Sequence, residues 1–228
     1  MSPAPRPSSV VLLSGGMDSA TCLALAARRG PVHALSVAYG QRHARELGSA
    51  RRLARHFRVA SHLVVRMPIG PLLDSALTRT ERPLPRAGRR GARTAIPATY
   101  VPARNTLLLA LALGVSESRG ATSIYLGANA IDYSGYPDCR PEFVRAFDRL
   151  ARLATRSGVE GHPTRIRAPL LRLSKAQIVR LGERLGVPWG MTWSCYAGGR
   201  RPCGRCDACR LRRKGFAEAG VTDPLLAL

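Results

Sequence analysis

Residues 9–23 read SVVLLSGGMDSATCL. A short apolar run over 9–13 ends at Ser14-Gly15-Gly16, and a helical pattern then runs from Asp18 to Arg29, where Gly30-Pro31 close it. Strand, glycine turn and helix in that order form the opening unit of an α/β sheet. Two glycines let a phosphate approach the backbone amides closely, and the helix that follows offers its positive end. The Ser14 and Ser19 hydroxyls can donate to phosphate oxygens. Asp18 cannot favour a phosphate directly, so it acts through magnesium or by bracing the turn. No Gly-Lys-Ser/Thr and no G-x-G-x-x-G occurs in the chain, which excludes a Walker loop and a dinucleotide fingerprint.

Outward from this unit, strands are expected over 32–39, 61–66, 122–127 and 164–168. Helices are expected over 42–56, 104–119, from Pro141 to near Ser157, and up to Leu185. Ser174 with Gln177 three residues on makes a capping box for the last of these, and Gly186 and Pro188 end it. Residues 67–99 read as a long loop with one helical turn near 72–76. Alternating strands and helices predict an α/β fold: an open, mostly parallel five-stranded sheet with helices on both faces, plus a small C-terminal zinc module. The α/β domain is expected to occupy 1–190 and the module 191–228. Ligands in such folds gather at the carboxyl ends of the strands, so the loops after strands one, two and four should meet.

Cys195, Cys203, Cys206 and Cys209 cluster across a turn with Gly198-Gly199, whereas Cys22 and Cys139 stand alone. Two-residue spacers let thiolates converge on one ion, and four sulfurs close a tetrahedral shell, so one structural zinc per chain is expected. An iron–sulfur cluster uses the same ligand count. Arg200, Arg201, Arg205 and Arg210 surround the site and would lower thiolate pKa values.

The net charge is +22, a reason to consider a polyanion partner such as nucleic acid, although such a partner is not required. Lysine occurs only at Lys175 and Lys214, so the other 34 of the 36 basic residues are arginine. That imbalance looks like codon bias, and the surviving lysines mark positions where a planar guanidinium would fail. No apolar run is long enough to span a bilayer and no signal peptide is recognisable, which suggests a cytoplasmic protein.

Several segments together are specific: LSGGMDSATCL at 13–23, YGQRH at 39–43, YVPARNT at 100–106, GANAIDYSGYPDCRPE at 127–142, LSKAQI at 173–178, and TWSCYAGGRRPCGRCDACRLRRKGF at 192–216. The hexapeptide SGGMDS resembles the signature of N-type ATP pyrophosphatases, and the whole set resembles the 7-cyano-7-deazaguanine synthase family of the pathway to the tRNA base queuosine. The Arg-rich stretch 82–93 departs from that pattern. The resemblance implies adenylation of 7-carboxy-7-deazaguanine by ATP with magnesium, capture of ammonia, a second adenylation, and release of the nitrile. It also implies a homodimer.

On that reading Leu13, Ser14, Gly15, Gly16, Met17, Asp18, Ser19, Ala20, Thr21, Cys22 and Leu23 form the ATP segment. Lys175 would neutralise charge on the transferring phosphate, and Arg104 would hold a carboxylate or phosphate. His43 is a candidate acceptor of the ammonium proton. Gln41, Arg42, Asn105, Asn129, Asp132, Tyr133 and Ser134 are candidate substrate contacts. Asp132 or Asp138 is an alternative magnesium ligand, and Cys139 is read as incidental. Three rivals stand beside this reading: a tRNA-modifying ATP pyrophosphatase, a zinc-dependent nucleic-acid-binding protein, and a paralogue acting on another carboxylate.

Overall fold

Four consecutive buried residues make β1 (Ser9–Leu12), and its side chains alternate between two cores. Val11 and Leu13 pack under α1 (Met17–Ala27), while Val10 and Leu12 face α3 (Arg104–Arg119) on the other side. A strand covered on both faces is mostly apolar, and the one polar side chain here, Ser9, bonds Ser123 Oγ at 2.9 Å. The computed structural model describes residues 6–41, 45–79, 81–84, 96–129 and 135–225.

Around β1 the sheet has the order β3-β2-β1-β4-β5, with β2 at Val32–Ala38, β3 at Ser61–Arg66, β4 at Ser123–Tyr125 and β5 at Arg165–Arg167. All four pairings are parallel, and the register sets Val11 against Ala34 on one side and Tyr125 on the other. The chain builds outward from β1 to β3, then crosses to β4. The topological switch therefore falls beside β1, where open α/β sheets leave a crevice.

One face carries α1, α2 (Arg45–His56), α6 (Lys175–Leu185) and α7 (Asp207–Ala219); the other carries α3 and α4 (Pro141–Ala154). The expected capping box begins α6: the Gln177 N–H donates to Ser174 Oγ at 3.3 Å and the Ser174 N–H to Gln177 Oε1 at 2.8 Å.

Two expectations need correction. The helix from Pro141 does not continue to Ser157. It stops at Ala154, because Thr155 is extended and its Oγ1 accepts from the Gly158 N–H at 3.0 Å, capping a separate turn, α5 (Arg156–Val159). The helical turn near 72–76 sits earlier, as a 3-10 turn at Gly70–Leu72. At the end of the cysteine cluster, α7, which is capped by Cys206 and contains Cys209, was not anticipated. It packs on α6 and places Phe216 in the same core as Leu23 and Ile178. Gly215 allows that approach, since a Cβ there would stand 2.7 Å from Lys175 Cβ. Much of the Arg-rich stretch, 85–93, lies outside the described residues.

Candidate functional site

The turn after β1 opens on a cavity of about 220 Å³ at the carboxyl ends of β1, β2 and β4. Gly15 has φ +93, and a Cβ on it would stand 2.2 Å from the Glu46 carbonyl oxygen, so only glycine fits beneath α2. The Ser19 hydroxyl accepts from the Gly15 N–H (3.2 Å), donates to the Gly16 carbonyl (3.0 Å) and lies 3.1 Å from Ser14 Oγ. Ser14 Oγ in turn accepts from the Gly16 N–H at 3.2 Å. The Ala20 N–H makes the first i→i−4 bond of α1, to Gly16. The amides of Met17, Asp18 and Ser19 therefore have no carbonyl partner within the helix, which is the arrangement that accepts an anion.

Of the expected ATP segment, Leu13, Ser14, Gly16, Met17, Asp18 and Ser19 border the cavity. Ala20, Thr21, Cys22 and Leu23 do not. They are fully buried further along α1, because only its first turn faces the strand ends. Gly15 sits below the cavity and shapes it.

Lys175, at the first position of α6, reaches the cavity and binds Asp18 through both carboxylate oxygens, at 2.5 and 2.8 Å. The ammonium thus stands at the head of α1, beside the unpaired amides. Asn129 also borders the cavity, but its Nδ2 donates to the carbonyls of Leu170 and Leu173. Both amide hydrogens are thereby committed to the segment that leads into α6. Gln41 folds back on β2, accepting from the Tyr39 N–H at 2.8 Å and donating to the Val37 carbonyl at 3.2 Å.

Arg104 is half-buried in the opposite wall, not a solvated surface charge. Burial opposes its charge. The hydrogen bond to Tyr39 and the nearby Asp138 carboxylate offset that, and the guanidinium stays protonated. It is a fixed cation facing a cavity, suited to a carboxylate or phosphate. Asp138 braces it from behind: Oδ2 accepts from the Asn105 N–H at 2.9 Å at the start of α3, and Asn105 Nδ2 donates to the Asp138 carbonyl at 2.9 Å. Its Oδ1 has no hydrogen-bond partner among the described residues. Burial pushes the Cys139 thiol up to about 11, so it stays protonated at neutral pH and is no nucleophile.

The four cysteines lie behind the wall that Trp193, Ser194, Tyr196 and Ala208 give the cavity. Their sulfurs all lie within 4.8 Å of one another, and such a set could hold a metal ion. Two backbone amides, of Ala197 (3.4 Å) and Cys203 (3.3 Å), donate to Cys195 Sγ, which fits a thiolate. Hydrogen bonds from Cys206 and Cys209 lower the pKa of the Cys195 thiol and in return raise their own.

Arg42, His43, Asp132, Tyr133 and Ser134 lie outside the described residues. Sequence reading missed Tyr39, Trp193, Ser194 and Arg212, all on the cavity wall. Trp193, Ser194 and Arg212 belong to the quoted 192–216 segment, where the cysteines drew the only chemical reading.

Among the described residues no helix is long and apolar enough to cross a membrane. A model of the family described as queuosine biosynthesis protein QueC matches residues 8–220. The 7-cyano-7-deazaguanine synthase of Anaeromyxobacter dehalogenans is 64% identical over 95% of this chain and 94% of that protein. The synthase of Azoarcus is 56% identical over 96% of each chain. A solved NMN synthetase from Francisella tularensis is similar at 17% identity and a TM-score of 0.48, over 96% of this chain and 74% of that one. A phosphate-type turn, a cysteine cluster and near-full-length identity to these synthases coincide in one molecule, and the chain belongs to the QueC family of queuosine biosynthesis proteins.

Proposed function

We propose that this chain is an ATP-dependent 7-cyano-7-deazaguanine synthase. The observation that carries the reading is convergence: the turn at 14–19, Lys175 and Arg104 border a single cavity. ATP lies with its phosphates on the amides that begin α1, with the Ser14 and Ser19 hydroxyls beside them. A carboxylate oxygen of 7-carboxy-7-deazaguanine attacks the α-phosphorus, the bond to the bridging oxygen breaks, and pyrophosphate leaves. Lys175 exchanges part of its bond to Asp18 for phosphate oxygens, and Asp18 is then available to magnesium. Preorganised charge of this kind lowers the barrier without reorganisation during the step.

Ammonia next attacks the acyl carbon. AMP departs and the amide remains after loss of a proton. The amide oxygen attacks a second ATP, giving up one N–H proton as pyrophosphate leaves, and loss of the other N–H proton with AMP leaves the nitrile. Arg104 holds the carboxylate at the start and balances negative charge as AMP departs. Asn105 orients Arg104 through the start of α3. Gln41, Arg42 and His43 after β2, with Asp132, Tyr133 and Ser134 after β4, are the proposed substrate side, and His43 takes the ammonium proton. Cys195, Cys203, Cys206 and Cys209 would hold a structural zinc, and four sulfur ligands would leave it no open position for substrate chemistry. The family resemblance supports a cytoplasmic homodimer.

The test is direct. Purified protein is incubated with ATP, magnesium, ammonium and 7-carboxy-7-deazaguanine, and the products are weighed by mass spectrometry. Nitrile together with AMP is expected. ADP, or no small-molecule product, overturns the reading.

A further inference from the structure

A short strap, residues 192–195, has the phosphate turn at one end and the cysteine cluster at the other. The Trp193 N–H donates to the Gly15 carbonyl at 2.9 Å. Two residues on, Cys195 contributes its sulfur to the cluster. The Gly15 carbonyl and the Gly16 N–H belong to one rigid trans peptide and point in opposite directions. A grip on that carbonyl, with Ser14 Oγ accepting from the Gly16 N–H at 3.2 Å on the other side, therefore fixes the plane of that peptide. Gly15 alone would not decide it, since glycine has the widest backbone freedom.

The strap is fixed from behind by Arg212, which is only 4% exposed. Its Nε and Nη2 fork onto Asp223 at 2.6 and 2.8 Å, and Nη2 also donates to the Trp189 carbonyl at 3.2 Å. Nη1 donates to Thr192 Oγ1 at 2.7 Å and to Ser194 Oγ at 3.5 Å. A guanidinium has five N–H donors, and these bonds use all of them. Arg212 borders the cavity, yet it has no hydrogen left for a ligand. Its whole donor set holds the strap to α7 and the tail.

We propose that Arg212 and Asp223 are positioning residues for the nucleotide, and that metal held by the four cysteines sets the affinity of the phosphate turn through the 192–195 strap. This rests on reading that turn as the ATP site. With metal, Cys195 and Arg212 anchor the strap at two points, and the Trp193 amide keeps the Gly15–Gly16 peptide preorganised for phosphate. Without metal one anchor is lost, and more of the ordering of the peptide falls to the ligand, which weakens binding. The cysteine centre is thus a distant support of the phosphate site as well as a staple for the tail.

The experiment measures binding of a non-hydrolysable ATP analogue to the full-length chain by calorimetry, before and after chelation, with metal content and far-UV circular dichroism recorded alongside. The metal-free, folded chain is expected to bind at least about tenfold more weakly, about 1.4 kcal/mol, and to recover when zinc is restored. Equal affinity with and without metal overturns the proposal while leaving the ATP reading intact. A metal-loaded chain that does not bind the analogue at all sinks both. Should chelation unfold the chain, Thr192→Val decides the matter with metal in place. It removes one strap acceptor of Arg212, and the KM for ATP is expected to rise several-fold at unchanged metal content, with little change in kcat. An unchanged KM for ATP in that variant overturns the proposal.

Discussion

Lys175 shows what one side chain can carry. It is a buried ammonium at a helix start, bonded to both oxygens of Asp18 and standing at the head of α1. A guanidinium is larger and planar, and Gly215 already lies against the Lys175 backbone and Cβ. Lys175→Arg is therefore expected to lower kcat about 100-fold, about 2.7 kcal/mol at the transition state, with the melting temperature nearly unchanged; steady-state kinetics and calorimetry check this. The scarcity of lysine pointed to this residue. It gave no such information at Lys214, an exposed side chain 3.7 Å from Glu218 one turn away. Gly15→Ala must adopt φ +93 and meets a carbonyl oxygen. It is expected to abolish binding of the ATP analogue and to lower stability by about 1–3 kcal/mol, read from the denaturant midpoint. The two glycines were legible as a turn. The distinct role of Gly15, shaping rather than touching the cavity, depends on α2 lying beneath it and was not.

Helices differ in how fully their own residues announce them. The capping box of α6 and the glycine after it fixed both ends of that helix, because both signals are local hydrogen-bonding or φ preferences. The break between α4 and α5 turns on Thr155, whose Oγ1 also donates to the Ala151 carbonyl at 2.8 Å. Threonine has no strong preference against a helix, so periodicity ran straight through it. α7 was hidden by its cysteines, and its burial depends on α6. A pair of glycines separates packing from propensity. Gly215→Ala places a methyl 2.7 Å from Lys175 Cβ and is expected to destabilise by about 1–3 kcal/mol. Gly114→Ala, in α3, meets nothing within 4 Å and is expected to stabilise by about 0.4–1 kcal/mol. Thermal unfolding of both variants, compared with the parent, tests the assignment of tight and open faces.

For the whole molecule the dominant fact is a net charge of +22. Like charge opposes the compact state, and salt screens it. Raising ionic strength from about 0.01 M to about 0.15 M shortens the screening length from about 30 to about 8 Å, and the melting temperature is expected to rise with it. A second whole-molecule property is acid sensitivity. Burial, aided by Arg51, lowers the pKa of His62, whose Nε2 lies 2.8 Å from Ser36 Oγ; that hydroxyl donates to the Leu13 carbonyl at the end of β1. Burial, aided by Arg119, likewise lowers His33. A histidine whose folded pKa is depressed favours the native state above its unfolded value, near 6.5. That contribution is lost as pH falls through the folded pKa. The denaturant midpoint is thus expected to fall below about pH 6.5, more steeply than in a His62→Gln variant.

The sequence by itself determined the parallel α/β architecture, the glycine turn between β1 and α1, and the cysteine cluster, and it pointed to Lys175, which the fold brings to that turn. Each is written in local spacing: a strand-length apolar run, two glycines before a helix, CxxCxxC, a capping box. The tertiary structure alone decided which groups share a wall. Arg104 became a cavity cation because Tyr39 and Asp138 arrive from other elements, and Asn129 became a support for α6. The cysteine segment is tied to the glycine turn because one amide of Trp193 meets one carbonyl of Gly15. Hydrogen bonds between residues so far apart along the chain leave no periodic mark, since what fixes them is the packing of whole helices on the sheet.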